Sequence, residues 1–209
     1  QGQNWNQPPW LPRALAEHAY APLRDMLRSL LRHAGALRID HILGFFRLWW
    51  IPEGLGPGEG TYVRYDHEAM IGVLALEAQR ARAVIIGEDL GLVEPWVRDY
   101  LAERGILGTS VLWFESDDDG GPLPPERYRT DLLATVNTHD LPPTAGYLDG
   151  EHVALRARLG LLTRSVDDEL ADFERERDRM LAELRSRGLI SDGASQQEVV
   201  EALHVFLAA

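Results

Sequence analysis

The chain contains no cysteine and no lysine, and each absence closes off a chemistry. Without cysteine there is no disulfide frame, no thiolate nucleophile and no cysteine-based zinc site. Without lysine all 21 basic residues are arginines, which excludes a lysine Schiff base and the lysine of a P-loop. Long apolar runs are also missing. Leu132 to Val136 and Val84 to Ile86 have the length of buried strands, far below the roughly 18 residues of a membrane span. Gln1 to Trp10 is polar and interrupted by proline, so no secretory signal is expected there. Basic residues are outnumbered by 33 acidic ones, leaving a net charge of −12. That balance argues against nucleic acid and anionic membranes as partners, because both demand a basic face. A cytoplasmic protein fits these absences.

The remainder reads as an ordinary globular chain, 45% hydrophobic and 26% charged, with 209 residues to bury a core. The opening GQNWNQPPWLP shows no periodic element. Tyr20 to Ala34 predicts an amphipathic helix, with Leu23, Met26, Leu27, Leu30 and Leu31 spaced by three and four. Gly35 ends it, and Ala36 to Asp40 follows as a short strand. Gly54 to Gly60 is a Gly/Pro-rich loop. The same order then recurs: a helix over Glu68 to Arg82, a strand over Val84 to Glu88, a helix over Glu94 to Arg104, and a strand over Thr109 to Phe114. Ser116 to Arg129 reads as a surface loop, and Leu132 to Val136 as a fourth strand. From residue 151 to 209 the pattern is helical, with helices expected over Glu151 to Thr163, Asp167 to Arg187 and Gln196 to Leu207.

Four hydrophobic strands separated by helices predict an α/β fold with a parallel sheet covered on both faces. The strand and helix units of residues 1–150 and the helices of 151–209 together form one domain. Three strands lead into an acid at their carboxyl ends: Asp40, Glu88 and, just past the fourth, Asp140. In parallel α/β barrels the groups that do chemistry gather on that face. An acid at a strand end can equally cap the next helix or pair with an arginine. Position alone leaves both open.

The surrounding text decides between them. Residues 37–54 read LRIDHILGFFRLWWIPEG, residues 85–115 read IIGEDLGLVEPWVRDYLAERGILGTSVLWFE, and residues 136–150 read VNTHDLPPTAGYLDG. With the opening Gly2-Gln3-x-Trp5, these segments resemble the amylomaltase (4-α-glucanotransferase) family, glycoside hydrolase family 77 of the α-amylase clan. Arg-x-Asp-His, Glu-Asp-Leu-Gly and Thr-His-Asp stand in the family's order over most of residues 1–150. The resemblance implies a segment of a (β/α)8 TIM barrel with a helical C-terminal portion. It implies transfer of α-1,4-glucan segments between maltooligosaccharides by a retaining double displacement, with no cofactor.

Asp40 then matches the nucleophile, Glu88 the general acid and base, and Asp140 the third carboxylate, which binds sugar hydroxyls. The resemblance also implies that Glu88 holds a proton while Asp40 stays ionised. Arg38, two residues from Asp40 and on the same side of a strand, is placed to hold that carboxylate ionised. His41, His139, Gln3 and Trp5 match substrate-binding positions, with Trp5 beside the acceptor sugar.

Other residues invite plainer readings. Trp49-Trp50 reads as core more readily than as a sugar platform. His41 and His139 lack the HxH or HExxH spacing of a metal site, so no metal is expected. His18, His33 and His204 lie in predicted helices. Asp117-Asp118-Asp119 reads as a solvated loop, and Arg175 to Arg179 as an exposed, salt-bridged helix face.

The sequence also departs from the family. Leu141-Pro142-Pro143-Thr144 stands where Asn-Asp-Thr is commoner, and only four of eight strands are legible. The chain is therefore expected to be a barrel segment with little transferase turnover by itself, prone to self-association through open sheet edges. Two other readings stay open at this stage. One is a non-catalytic glucan-binding or assembly module, and the other a metal-dependent barrel hydrolase.

Overall fold

The computed structural model describes residues 4–208, which divide into two compact units. Of the described residues, the first comprises 4–109 with Asp131–Leu133, and the second Ser110–Thr130 with 134–208.

In the first unit, α1 (Pro12–Glu17) precedes α2 (Ala21–Leu31), whose Leu23, Leu27 and Leu31 recur every four residues and are buried. α1 falls where no periodic element is expected; six residues opened by a proline are too short to show a period. β1 (Ala36–Ile39) follows, then a single 3₁₀ turn over Ile42–Phe45 and a hairpin of β2 (Arg47–Trp50) and β3 (Thr61–Arg64). The Gly54–Gly60 loop, with a 3₁₀ turn over Pro57–Glu59, joins the two strands of this hairpin, which was not expected from the sequence. The strands pair antiparallel, with Trp49 opposite Tyr62 and Trp50 opposite Thr61.

α3 (His67–Ala81) begins at Asp66, whose carboxylate accepts the Ala69 N–H at 3.0 Å. Its Met70, Ile71, Leu74 and Ala78 pack into the core with the α2 leucines. Glu77, also buried, receives two hydrogen bonds from Arg28, which bind α2 to α3, and one from Arg80 of α3 itself. Those donors, Arg28 first, hold its carboxyl below the ordinary carboxylate range.

β4 (Val84–Gly87) lies parallel to β1 with Ala36 opposite Val84 and Ile39 opposite Gly87. α4 (Pro95–Ala102) leads through Gly105 (φ +68°) into β5 (Ile106–Val111), which runs parallel to β4. The third strand therefore starts three residues before the expected Thr109, and Leu112–Phe114 is a 3₁₀ turn. With β6 (Leu132–Thr135) the sheet order is β1-β4-β5-β6. The boundary between the two units falls within β5 and β6.

The second unit is mainly helical: α5 (Thr144–Leu148), α6 (Glu151–Arg158), α7 (Val166–Ser186) and α8 (Gln196–Leu207). α5 was not expected from the sequence; its five residues are too few to show a period, and Pro142-Pro143 stand just before it. α6 stops five residues short of Thr163, with Gly160 at φ +66° just beyond it. Ser165 caps α7 by accepting the Asp168 N–H, and Ser195 with Glu198 forms a reciprocal capping box on α8. Leu184, Leu203 and Phe206 are fully buried in the core of this unit. His18 and His33 sit just past the ends of α1 and α2 instead of inside them. Among the described residues no helix is long and apolar enough to cross a membrane.

Candidate active site

The site in the first unit is built by the pairing of β1 with β4. Their last paired residues are Ile39 and Gly87, and the next residue on each strand is an acid, Asp40 and Glu88. The ladder continues past them, because the Glu88 N–H donates to the Ile39 carbonyl at 2.9 Å and the Ile42 N–H to the Glu88 carbonyl at 3.1 Å. Adjacent strands lie about 4.8 Å apart, so the two acids leave the sheet as neighbours.

Arg38 donates to Asp40 at 2.7 Å, the contact expected from two side chains on one face of β1. The Arg38 side chain is 29% exposed and that of Asp40 58%. Both Glu88 carboxylate oxygens accept backbone donors: His41 N–H on Oε2 at 2.9 Å, and Leu90 N–H on Oε1 at 2.7 Å. One lone pair remains on each oxygen, which is where a proton can reside. His41 is in the left-handed region (φ +50°), uncommon for a non-glycine residue, and this bend presents its N–H to Glu88. Its ring meets Trp5 edge to face at 5.2 Å between centroids.

The structure thus gathers Trp5, Arg38, Asp40, His41 and Glu88. Gln3 lies outside the described residues. His139 and Asp140 belong to the second unit, on the loop from β6 to α5. There the Asn137 amide donates to the Pro142 carbonyl at 2.6 Å, and the Asp140 N–H donates to the Thr138 hydroxyl at 3.3 Å. His139 Nε2 lies 3.5 Å from the Asp140 carboxylate.

Three partners of this site were not read from the sequence. Asp89, only 2% exposed, accepts the Thr109 N–H at 2.8 Å and the Arg98 Nε–H at 3.2 Å. A second acid beside Glu88 in an otherwise apolar segment was the available signal. The tryptophan pair divides: Trp50 packs against the core, while Trp49 stands edge-on to Tyr62 and donates to the Pro57 carbonyl at 2.9 Å. Among the described residues no cluster of histidines and acids is arranged to hold a metal ion.

Parallel strands that carry acids past their carboxyl ends make this an α/β-barrel type of chain. Its sequence matches the family described as 4-alpha-glucanotransferase, glycoside hydrolase family 77, over residues 1–209, and the chain belongs to that family. A 4-alpha-glucanotransferase of Mycobacterium tuberculosis (strain H37Rv) is 60% identical over 212 residues, covering 99% of this chain and 29% of the relative. One from Haemophilus influenzae is 40% identical over 165 residues, covering 79% and 24%. The crystal structure of amylomaltase from Corynebacterium glutamicum superposes with a TM-score of 0.89 at 51% identity, covering 100% of this chain and 31% of that one. The amylomaltase of Streptococcus agalactiae in complex with acarbose, 20% identical with a TM-score of 0.60 over 78% of this chain and 34% of its own, shares the fold. The chain spans less than a third of the length of the curated relatives it matches.

Proposed function

We propose that the protein transfers α-1,4-glucan segments from one maltooligosaccharide to the 4-hydroxyl of another, working in the cytoplasm without a cofactor. The observation that carries this reading is the β1–β4 register, which continues directly into Asp40 and Glu88. A retaining carboxylate pair needs a separation of about 5–5.5 Å, and neighbouring parallel strands supply nearly that spacing.

In the first step an Asp40 oxygen attacks the anomeric carbon as its bond to the leaving oxygen breaks. Glu88 gives its proton to that oxygen, and a shorter glucan departs. In the second step Glu88 takes the proton of an acceptor 4-hydroxyl, whose oxygen displaces Asp40 and restores the original configuration. Arg38 orients the Asp40 carboxylate through the 2.7 Å contact. Asp140 and His139 are assigned to the hydroxyls of the reacting sugar, and Gln3 and Trp5 to the acceptor side. Trp5, 57% exposed, offers an apolar face that a sugar can cover and from which water is then excluded. Transfer prevails over hydrolysis when the acceptor occupies that face.

The test uses the full-length protein with maltotriose. Glucose together with a ladder of longer maltooligosaccharides is expected, whereas glucose and maltose alone would mean a hydrolase. Asp40→Asn should abolish covalent trapping of the glycosyl group, and retained trapping would remove Asp40 from its role. The 209 residues by themselves should show little transferase turnover, because positioning within about half an ångström depends on the surrounding scaffold. Turnover within tenfold of the full-length protein would contradict that expectation.

A further inference from the structure

Two acidic side chains are buried among the described residues, Glu77 at 4% exposure and Asp89 at 2%. Glu77 is occupied by arginines of α2 and α3 and serves to join those helices. Asp89 has partners of another kind. It follows Glu88 directly, and its contacts run to the strand and the helix that flank the turn carrying Glu88.

The pairing of β4 with β5 matches Ile85 with Ile106 and Ile86 with Leu107. Beyond these residues side chains take over the ladder. The Thr109 hydroxyl donates to the Gly87 carbonyl at 3.2 Å, and the Thr109 N–H donates to Asp89 Oδ1 at 2.8 Å. The other Asp89 oxygen accepts from Arg98 Nε at 3.2 Å, and a second Arg98 nitrogen donates to the Asp89 carbonyl at 3.2 Å. Arg98 therefore grips both the side chain and the backbone of Asp89. On the opposite side Glu88 is tied to Ile39, His41 and Ile42 of the β1 edge. The peptide units on both sides of Glu88 are thus held, one edge by β1 and its turn, the other by Asp89.

We infer that Asp89, held by Arg98 and Thr109, is a positioning residue that fixes the Glu88 carboxyl for proton transfer. The inference rests on the role given to Glu88 above. An aspartate suits this place because it accepts on two oxygens in different directions and balances the Arg98 charge. Asparagine offers one acceptor and turns an N–H₂ group toward the guanidinium. The turn then relaxes, and Glu88 is displaced relative to Asp40. A misplacement of about 1 Å can lower a rate roughly 10²-fold.

The experiment separates this role from support of the fold through the leaving group. Cleaving maltotriose breaks a C–O bond whose oxygen must take a proton from Glu88. Cleaving α-maltosyl fluoride breaks a C–F bond, and fluoride leaves as the anion without that proton. Both pass through the same attack by Asp40. In the full-length protein, Asp89→Asn should slow single-turnover cleavage of maltotriose by roughly 10²-fold while KM stays within about threefold. Fluoride release in the first turnover should stay within about threefold of the wild type. Arg98→Lys keeps the charge beside the buried Asp89 but loses the two-point grip on its side chain and backbone, so it should show the same split in milder form and supplies a folded variant where Asp89→Asn does not.

Equal losses on both substrates would overturn the inference, since they mean a structural role alone, and so would no loss on either. Glu88→Gln is the reference and must itself lose maltotriose cleavage while retaining fluoride release. If it does not, the assignment of Glu88 fails, and the role given to Asp89 falls with it.

Discussion

The backbone N–H of His41 donates to the Glu88 carboxylate at 2.9 Å, although 47 residues separate the two in sequence. The contact depends on a left-handed bend at His41 (φ +50°), which directs its N–H across to the neighbouring strand. The turn that follows one proposed catalytic acid therefore helps orient the other. Strain of this kind costs on the order of 1–3 kcal/mol and tends to be kept where the surroundings enforce it.

His41→Gly should separate the backbone role from the side-chain role. Glycine adopts the same φ freely and keeps the N–H, so the melting temperature should hold or rise. Transferase kcat should stay within about threefold, and KM should rise by up to about tenfold, the worth of one lost hydrogen bond of the imidazole. A large fall in kcat with KM unchanged would show that the ring acts in the chemical step.

Gly87 carries no side chain because the turn after Asp40 packs onto it. A Cβ there would lie 3.0 Å from Ile42 Cγ1 and 3.1 Å from its Cβ. Gly87→Ala should therefore push Ile42 away and cost about 1–3 kcal/mol, the range for an overpacked core. Adding Ile42→Ala should recover part of that loss, so a double-mutant cycle should give a coupling of at least about 0.5 kcal/mol. Additive losses would show that the two residues do not compete for the space.

Much of this arrangement was legible in the sequence because the strands are short apolar runs bounded by polar or glycine residues, and β1 and β4 each lead directly into an acid. β1 and β4 fall within a residue of expectation for that reason. The hairpin was not legible. Leu48-Trp49-Trp50-Ile51 is apolar without alternation, and its partner Thr61–Arg64 follows a loop that shows no turn pair of the usual hairpin kind. Gly108 inside β5 blurred where that strand begins. Asp89 was hidden by its neighbour, since two adjacent acids look solvated until the fold brings Arg98 and Thr109 to the second. Arg47 and Glu94 likewise form a two-pronged ion pair across 47 residues that no local pattern announces.

Acid titration should expose an ion pair of the second unit. Arg187 donates two hydrogen bonds to Glu126, at 2.7 and 3.1 Å, and these bonds first, with a backbone hydrogen bond to the carboxylate behind them, lower the Glu126 pKa from 4.5 to about 2. A carboxyl lowered on folding stabilises the folded state fully above its unfolded pKa. That contribution is lost as pH falls from about 4.5 through about 2. Arg187→Met should therefore be less stable than the wild type at pH 6, by a margin that narrows toward pH 2. The pair is open to solvent, so added salt should narrow the margin too. A margin independent of pH would assign the effect of Arg187 to packing alone, since its guanidinium also lies over the Phe206 ring at 5.1 Å.

The opposite pH sense follows from His152. Its ring stacks on Tyr147 at 4.4 Å with planes 7° apart and meets Phe173 edge to face at 4.9 Å. Its Nδ1 is buried with no hydrogen-bond partner among the described residues. Burial first, and then the positive charge of Arg156, lower the pKa of His152 from 6.5, with Glu169 opposing them. The folded state thus prefers the neutral ring. Above pH 6.5 both states are neutral and the residue adds no pH dependence. As pH falls below 6.5 the unfolded chain takes up the proton first, so stability drops until the folded-state pKa is passed. His152→Phe keeps the stack on Tyr147 and removes both the proton site and the orphaned nitrogen. The variant should melt at or above the wild-type temperature at pH 8, and its advantage should widen by pH 5. An advantage that stays constant between these pH values would mean that His152 titrates alike in the folded and unfolded chain.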